Sequence, residues 1–187
     1  MVSGEVNVSR GQSREVLIID NSVVQCWASG KYDAEAYTIM EATSGPAYGP
    51  RAAKLSNDML SFDGPIKELV ILDKDGKPLD SSDHDRRFFE AAWMHKYDGK
   101  YYFSYSTGDT HFLCYAVGDS PFGPFTYKGR ILEPVEGWTT HHSIVEHKGK
   151  WWLFHHDTSI SHKNHLRCVK VREIFYDKDG GIQLTPA

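Results

Sequence analysis

The hydrophobic pattern of this chain alternates along short segments that are separated by glycine turns. Apolar and polar positions alternate from Trp93 to Tyr97, the dipeptide Asp98-Gly99 follows, and the aromatic segment 100–105 comes next. A period of two is typical of a strand with one buried face, and Asp-Gly between two such runs is a strong hairpin signal because glycine readily adopts positive φ. This part of the sequence therefore predicts a β-hairpin.

The same pattern recurs about 50 residues later, from His147 to His155, with Lys148-Gly149 at the turn. In both copies a further alternating segment with β-branched and aromatic residues follows. These segments are 111–117 and 165–171. Each copy therefore predicts a hairpin extended by a third strand into a small antiparallel sheet.

A weaker third copy lies upstream. Val16 to Trp27 has the pattern of a hairpin across Asn21-Ser22, and residues 51–55 could be its outer strand. No 3.6-residue amphipathic pattern persists long enough to indicate a major helix. The sequence thus predicts an all-β fold.

The repeat divides the chain into an N-terminal arm, 1–15, and three sheet units, about 16–75, 86–130 and 131–187. The arm is either frayed or adds one strand. The period is that of propeller blades, so we expect a partial β-propeller of about three four-stranded antiparallel blades. Propellers close with roughly four to eight blades, so three units cannot form a ring. Either the chain is the C-terminal part of a larger ancestor, or another copy of itself covers the open edges, and we expect a homo-oligomer.

Composition and charge narrow the classes of partner. Hydrophobic residues make up 40% of the 187 residues, which is enough for one packed domain. The formal net charge is -4 and no run of Lys or Arg is present, which argues against nucleic acid as a partner. No apolar run approaches the roughly 20 residues that cross a bilayer. Residues 1–5 lack the features of a signal peptide, so we expect no membrane partner and a cytoplasmic location.

The three cysteines, Cys26, Cys114 and Cys168, are expected to be buried thiols.

One carboxylate stands out because of its apolar neighbours. Glu90 lies between Phe88-Phe89 and Trp93, at the start of an alternating run. An apolar setting disfavours the charged form of a carboxylate, which is how proteins keep a general acid protonated near neutral pH. Glu90 is therefore the candidate proton donor.

Four sequence motifs, in this order and spacing, closely resemble glycoside hydrolase family 43: FFEAAWMHKYDGKYYFSYSTG, YAVGDSPFGPF, GWTTHHSIVEHKGKWWLFHHD and HLRCVKV. The resemblance covers residues 51 to about 175. It implies the C-terminal three-blade portion of a five-bladed propeller. It also implies an inverting enzyme that removes xylose or arabinose from xylan fragments, with xylo- or arabino-oligosaccharides as partners. By the same resemblance, Glu90 takes the place of the general acid.

Inverting glycosidases also need a second carboxylate that activates water, roughly 6.5 to 9.5 Å from the acid. The resemblance implies a third, an aspartate that orients the acid. In relatives both aspartates belong to the first two blades, which have no counterpart among the predicted units. The remaining candidates each lie in a turn-like context, where Asp commonly caps or bends backbone. They are Asp20, Asp33, Asp83, Asp85 and Asp109.

The resemblance assigns two more side chains to the site. His142 would lie on the propeller axis beside a central ion, commonly calcium, which it contacts directly or through water. Arg167 would reach from a strand toward the sugar hydroxyls. A surface arginine paired with Glu173 or Asp157 is an equal alternative. We expect His155 and His156 to serve strand packing and turn hydrogen bonds, and for His142 such a packing role is an equal alternative.

Aromatic side chains could supply flat faces on which sugar rings stack. Trp138, Trp93 and Phe112 are the candidates, with His111 beside them. For Trp93, packing between blades is the favoured alternative, and for Trp138 it is an equal one. The sequence thus leaves two functions open: a glycosidase with Glu90 as its acid, and a noncatalytic sugar-binding or truncated remnant propeller.

Overall fold

The computed structural model describes residues 8–9, 16–19, 44–58 and 60–185. Within these ranges the chain forms thirteen strands and one short 3-10 helix, and no α-helix. The all-β prediction is therefore confirmed. None of the helical structure in these ranges is long and apolar enough to cross a membrane.

The first sheet contains four short antiparallel strands in chain order. They are β1 (Val8–Ser9), β2 (Val16–Ile19), β3 (Arg51–Lys54) and β4 (Lys67–Glu68). Strand β1 lies in the predicted arm and pairs with β2, so the arm adds a strand to this sheet. The predicted turn at Asn21-Ser22 lies outside the described residues.

The second sheet has five strands, in the order β5-β9-β8-β7-β6. They are β5 (Ile71–Leu72), β6 (Glu90–Tyr97), β7 (Lys100–Ser106), β8 (Leu113–Gly118) and β9 (Phe125–Leu132). Strand β5 pairs with β9 in parallel, so the expectation of four antiparallel strands is wrong for this sheet. The physical reason is burial, because Ile71 packs in the same hydrophobic core as Phe125.

The third sheet has four antiparallel strands in chain order, as expected. They are β10 (His142–His147), β11 (Lys150–Asp157), β12 (Cys168–Tyr176) and β13 (Ile182–Leu184).

Both predicted hairpins are present. Asp98 and Gly99 have φ of 45° and 76° and connect β6 to β7, while Lys148 and Gly149 have φ of 54° and 75° and connect β10 to β11. Two successive residues with positive φ are typical of the type I′ turn, whose twist matches that of a hairpin.

Two hydrophobic clusters hold the sheets together. One lies against the second sheet and is built around Phe88, Phe103 and Phe125. The other joins the second and third sheets and contains Tyr102, Leu113, Tyr115, Ile144, Leu153 and Ile174. Consecutive residues of β7, Tyr102 and Phe103, belong to different clusters, because successive side chains of a strand point to opposite faces. Cys114 is a buried free thiol and Cys168 a partly buried one, whereas Cys26 lies outside the described residues.

A buried histidine lies in the aromatic part of the second cluster. His95 is 0% exposed, and its Nε2 lies 2.6 Å from the Tyr176 hydroxyl. Its ring stacks on Tyr102 and contacts Trp151, with centroids 5.2 Å apart in both cases. Nδ1 of His95 has no hydrogen-bond partner in the described part of the chain. Burial disfavours the charged imidazolium and lowers the pKa of His95 to about 3.

Candidate functional site

Glu90 is the first residue of β6 and lies at an irregularity of the sheet. It pairs with Ser106 of β7, and the register then shifts between Glu90 and Trp93. Ala91, inside this bulge, has φ of 61°, which is uncommon for any residue other than glycine. Bulges re-aim side chains, and backbone strain of this kind is frequent next to functional groups. The side chain of Glu90 is 19% exposed, so it is largely buried but still reaches solvent.

The segment Trp138–His142 leads into β10 and lies beside Glu90. Ser106 Oγ donates a hydrogen bond of 2.6 Å to the Thr140 carbonyl, which attaches this segment to β7. The Thr140 hydroxyl donates to the His156 carbonyl at 2.8 Å and accepts from the His156 amide at 3.1 Å. The segment is therefore fixed to the second sheet on one side and to β11 on the other.

His141 brings an imidazole to the carboxyl group of Glu90. Its Nε2 lies 3.8 Å from Glu90 Oε2, and its side chain is 43% exposed. The His141 amide donates to His156 Nε2 at 3.0 Å, so His156 fixes the backbone that carries His141. Burial, with the nearby Arg167 guanidinium and His141, lowers the pKa of His156 to about 4. A neutral His156 can accept the His141 hydrogen bond.

Arg167 reaches the same segment from the other side. It precedes β12, and the expectation that it lies within a strand is wrong by one residue. Its Nη1 donates to the Thr139 carbonyl at 2.8 Å, and its Nε donates to the Asn164 carbonyl at 2.9 Å. These backbone contacts fix the guanidinium beside the Trp138–His142 segment.

The alternative role of Arg167, as the partner of a surface acid, is not what the structure shows. Glu173 pairs with Lys150 at 3.0 Å, and Asp157 Oδ2 lies 3.8 Å from Lys170 Nζ. Both acids that could have paired with Arg167 therefore have other basic neighbours.

Trp138 presents an exposed aromatic ring at the start of the segment. It is 56% exposed, and its ring meets that of His111 edge to face at a centroid distance of 4.7 Å. His111 Nδ1 lies 3.1 Å from Thr139 Oγ1. His111 follows the 3-10 helix Gly108–Thr110, which connects β7 to β8. An exposed indole is a surface suited to stacking on sugar rings.

The structure places Trp93 and Phe112 in packing contacts instead. Trp93 packs against the cluster between the second and third sheets, and its Nε1 donates to the Ile144 carbonyl at 3.1 Å. The Phe112 ring lies under the Arg130 guanidinium, with 3.4 Å between the guanidinium carbon and the ring centroid. For Trp93 this is the packing role that the sequence favoured.

His142 lies at the start of β10 and contacts the second sheet. Its Nε2 is 2.6 Å from Ser104 Oγ, and its Nδ1 is buried without a hydrogen-bond partner among the described residues. Burial is the main cause that lowers the pKa of His142 to about 3, with a smaller effect of His141, His95 and His155. A neutral imidazole suits contact with a cation or with the water that surrounds one.

Calcium, however, prefers six to eight oxygen ligands. In the ranges that the structure describes, no group of three His, Cys, Asp or Glu side chains is placed to hold a metal ion. These residues therefore do not complete a calcium site around His142.

The candidate bases that the structure describes all contact basic side chains. Asp83 lies 2.5 Å from Arg86, Asp85 3.2 Å from Arg130, and Asp109 2.7 Å from His84. Asp20 and Asp33 lie outside the described residues. These contacts fit the structural roles expected of aspartates in turns rather than the activation of water.

Sequence reasoning missed the contribution of His141 and His156. His156 was expected to serve packing and turn hydrogen bonds, and His141 had no assigned role, yet His141 lies beside Glu90 and His156 accepts a hydrogen bond from the His141 amide. The signal that could have found them is the run Thr139-Thr140-His141-His142, four hydrogen-bonding side chains in succession before an apolar strand.

Comparison with known proteins agrees with the all-β fold. Solved structures with the same arrangement of sheets are glycoside hydrolases that form five-bladed propellers. The chain belongs to Glycosyl hydrolases family 43, whose sequence profile matches residues 26–182.

Relatives with assigned activities are similar over most of this chain. The Xylosidase/arabinosidase 43A of Humicola insolens is 64% identical over 165 residues, which cover 85% of this chain and 50% of that protein. The Xylosidase/arabinosidase of Bacteroides ovatus is 66% identical over 133 residues, which cover 71% of this chain and 41% of that protein. The chain thus spans about half the length of the curated relatives it matches.

Two solved structures resemble the fold closely. One is a family 43 beta-xylosidase/alpha-arabinofuranosidase from a compost microbial metagenome, in complex with xylotriose and in a calcium-free form. Its TM-score is 0.80 at 52% identity, and the match covers 94% of this chain and 56% of that one. The other is a family 43 enzyme of Xanthomonas citri complexed with xylotriose, with a TM-score of 0.81 at 43% identity and coverage of 94% and 54%.

Proposed function

We propose that this chain carries the proton-donor side of an inverting glycoside hydrolase that acts on xylo- or arabino-oligosaccharides, with Glu90 as the general acid. The observation that carries the proposal is the contact between the Trp138–His142 segment and Glu90. His141 of this segment lies 3.8 Å from the Glu90 carboxyl group, and the same segment carries the exposed Trp138 ring and accepts a hydrogen bond from Arg167 at the Thr139 carbonyl. The xylotriose complexes and the xylosidase names of relatives support the substrate class.

Each group has a role that follows from its chemistry. Glu90 would donate its proton to the glycosidic oxygen as the bond to the leaving sugar breaks. Arg167 would donate hydrogen bonds to sugar hydroxyls, since its planar fork matches neighbouring oxygens. Trp138 would stack on the apolar face of a pyranose ring. His141 does not transfer a proton in this proposal; it positions the carboxyl group.

The water-activating base would come from outside the described residues or from a second chain. Asp83, Asp85 and Asp109 are engaged with basic side chains, which favours other carboxylates for this role. Without the water-activating base, Glu90 could still support weak hydrolysis, because general acid catalysis alone accelerates a reaction by about 10² to 10⁴.

The experiment is hydrolysis of 4-nitrophenyl β-D-xyloside and α-L-arabinofuranoside by wild type, Glu90→Gln and Glu146→Gln. Glu146 is an exposed residue of β10 and is the matched control. We expect Glu90→Gln to lose at least about 10²-fold in turnover while Glu146→Gln keeps the wild-type rate. Circular dichroism checks that all three proteins are folded.

Equal turnover by wild type and Glu90→Gln would remove Glu90 from the mechanism. Saturable binding of xylotriose without any turnover by folded wild type would instead identify the noncatalytic sugar-binding alternative.

A calcium ion beside His142 stays a prediction. The calcium-free description of one relative and the unpartnered, buried Nδ1 of His142 support it. Titration of the metal-stripped protein with calcium chloride, followed by calorimetry, tests it, and absence of binding heat would contradict it.

Self-association and a cytoplasmic location also stay predictions. The outer face of the third sheet supports the first of them, because Phe154 and Val171 pair across β11 and β12 and are both exposed. Val169 and Phe175 follow on the same face and are 72% and 51% exposed. Exposed apolar patches of this kind commonly mark an interface.

A further inference from the structure

A groove of about 810 Å³ lies between the second and third sheets, and the site described above does not use it. Its walls come from β9 with the chain that follows it, from β11 and β12, and from the end of β13. Its volume is in the range of small-molecule sites. Glu90, Arg167 and Trp138 do not line it.

The charges in this groove balance. Arg130, Lys170 and Arg172 line it together with Glu133, Asp157 and Glu173. Most of them have partners nearby: Lys170 lies 3.8 Å from Asp157, Arg130 lies 3.6 Å from Glu133, and Arg172 donates to the Thr185 carbonyl at 2.8 Å. No charge of one sign is in excess, so the groove offers hydrogen-bond donors and acceptors without selecting a charged ligand.

The rest of the wall is apolar. Ile131, Leu132, Val135 and Leu184 line the groove between the polar groups. An apolar surface beside alternating donors and acceptors suits a ligand with an apolar face and a rim of hydroxyl groups. This is the chemistry of a neutral saccharide.

His155 adds a hydrogen-bonding group to the wall. It is 8% exposed, and its Nδ1 is buried with no hydrogen-bond partner in the described part of the chain. An unpaired buried N–H costs more than an unpaired acceptor. Burial also lowers the pKa of His155, which keeps the ring neutral. The single proton of the ring is therefore best placed on Nε2, which leaves Nε2–H as the donor that His155 offers to a ligand.

We propose that this groove is a second saccharide-binding site, separate from the Glu90 site, for uncharged pentose oligosaccharides. Binding here does not require catalysis at Glu90, but the choice of pentoses rests on the substrate class proposed above. It would hold a second stretch of the same polymer and raise the local concentration of chain ends at the catalytic site.

The test is titration of the protein with xylotriose, observed by NMR of backbone amides. We expect two groups of shift changes, one around Trp138 and Arg167 and another along β9, β12 and β13. Lys170→Ala removes one donor from the rim and should weaken binding at the second group about tenfold. Lys128→Ala, an exposed lysine of β9 that does not line the groove, is the matched control and should change binding by less than about twofold.

His155→Leu provides a second variant with its own readout. It removes the ring whose Nδ1 is unpartnered, so the protein should lose little stability. The chemical-shift changes along β9, β12 and β13 should disappear, because the Nε2–H donor is lost. Should this variant fail to fold, Lys170→Ala decides the question.

Three results would overturn the proposal. One is the absence of shifts along the groove at about 10 mM xylotriose, where a site with a Kd of about 1 mM is filled. Another is equal binding by Lys170→Ala and Lys128→Ala. The third is tighter binding of glucuronate than of xylotriose, which would show that the groove selects charge. Turnover by Glu90 is measured separately, so either proposal can fail alone.

Discussion

His95 should make the stability of this protein fall as the pH decreases from about 6.5. The unfolded chain binds a proton at this ring with a pKa near 6.5, whereas burial lowers the pKa in the folded state to about 3. Between these two values the unfolded state binds more protons than the folded state. Stability is therefore complete above pH 6.5 and is lost progressively as the pH falls toward 3.

The size of the effect follows from the pKa difference. One pH unit in this window corresponds to about 1.4 kcal/mol, so at pH 5 the loss from His95 alone is about 2 kcal/mol. No reduction for solvent screening applies, because the ring is 0% exposed among Tyr102, Trp151 and Tyr176. His142 acts in the same direction, so only a comparison with a variant isolates the part due to His95.

His95→Phe is the variant that isolates it. Phenylalanine keeps an aromatic ring on Tyr102 but leaves the Tyr176 hydroxyl without its hydrogen-bond partner, which costs about 1 to 3 kcal/mol at every pH. Urea unfolding of both proteins at pH 8 and pH 5 gives the difference in the free energy of unfolding. We expect the variant to be less stable at pH 8 and to recover about 2 kcal/mol relative to wild type at pH 5.

Parallel pH dependences of wild type and His95→Phe would refute this reasoning, since the folded state would then accept the proton as readily as the unfolded chain. His147→Phe is the matched control. His147 is the exposed last residue of β10, and the control shows whether the loss of any histidine changes the slope.

Three further changes test other parts of the structure. Ala91→Val places a β-branched residue at φ of 61°, which should reduce stability by about 1 to 3 kcal/mol and lower xyloside turnover. Ala91→Gly should keep the wild-type stability and turnover. Equal melting temperatures of the two variants would contradict backbone strain at this position. Gly108→Ala places a Cβ 2.8 Å from Phe89 Cγ and should lower the melting temperature more than Gly99→Ala, because Gly99 has a similar φ but open space around it. Equal decreases in melting temperature would show that backbone strain alone, without the contact to Phe89, causes the loss. Val171→Lys should reduce the sedimentation mass if the outer face of the third sheet mediates self-association, and an unchanged mass would exclude that face.

Local patterns were sufficient to predict the hairpins. The turns at Asp98-Gly99 and Lys148-Gly149 depend on residues next to one another, so the sequence contains all the information that the turn requires. The partner of a strand far away in the chain is different. Strand β5 pairs with β9 because Ile71 and Phe125 share a core, and no pattern at residues 71–72 alone indicates that neighbour.

The site divides in the same way. Glu90 could be identified from its apolar neighbours, which are adjacent in sequence and remain adjacent in the fold. Its distance to His141, and the contact of Arg167 with Thr139, depend on how the second and third sheets pack together. That packing is set by buried side chains from several strands, so it could be predicted only through the family resemblance.

The packing of these two sheets also gives Trp93 a role other than stacking on a sugar ring. Glu90 belongs to the second sheet, whereas His141 and Arg167 directly precede strands β10 and β12 of the third, so the candidate site exists only while the two sheets keep their relative position. Three hydrogen bonds cross between them beside Glu90: Trp93 to Ile144, Ser104 to His142 and Ser106 to Thr140. A tryptophan close to the acid in sequence therefore contributes to the site by holding the sheets in register, and its ring is used by the core rather than by the sugar.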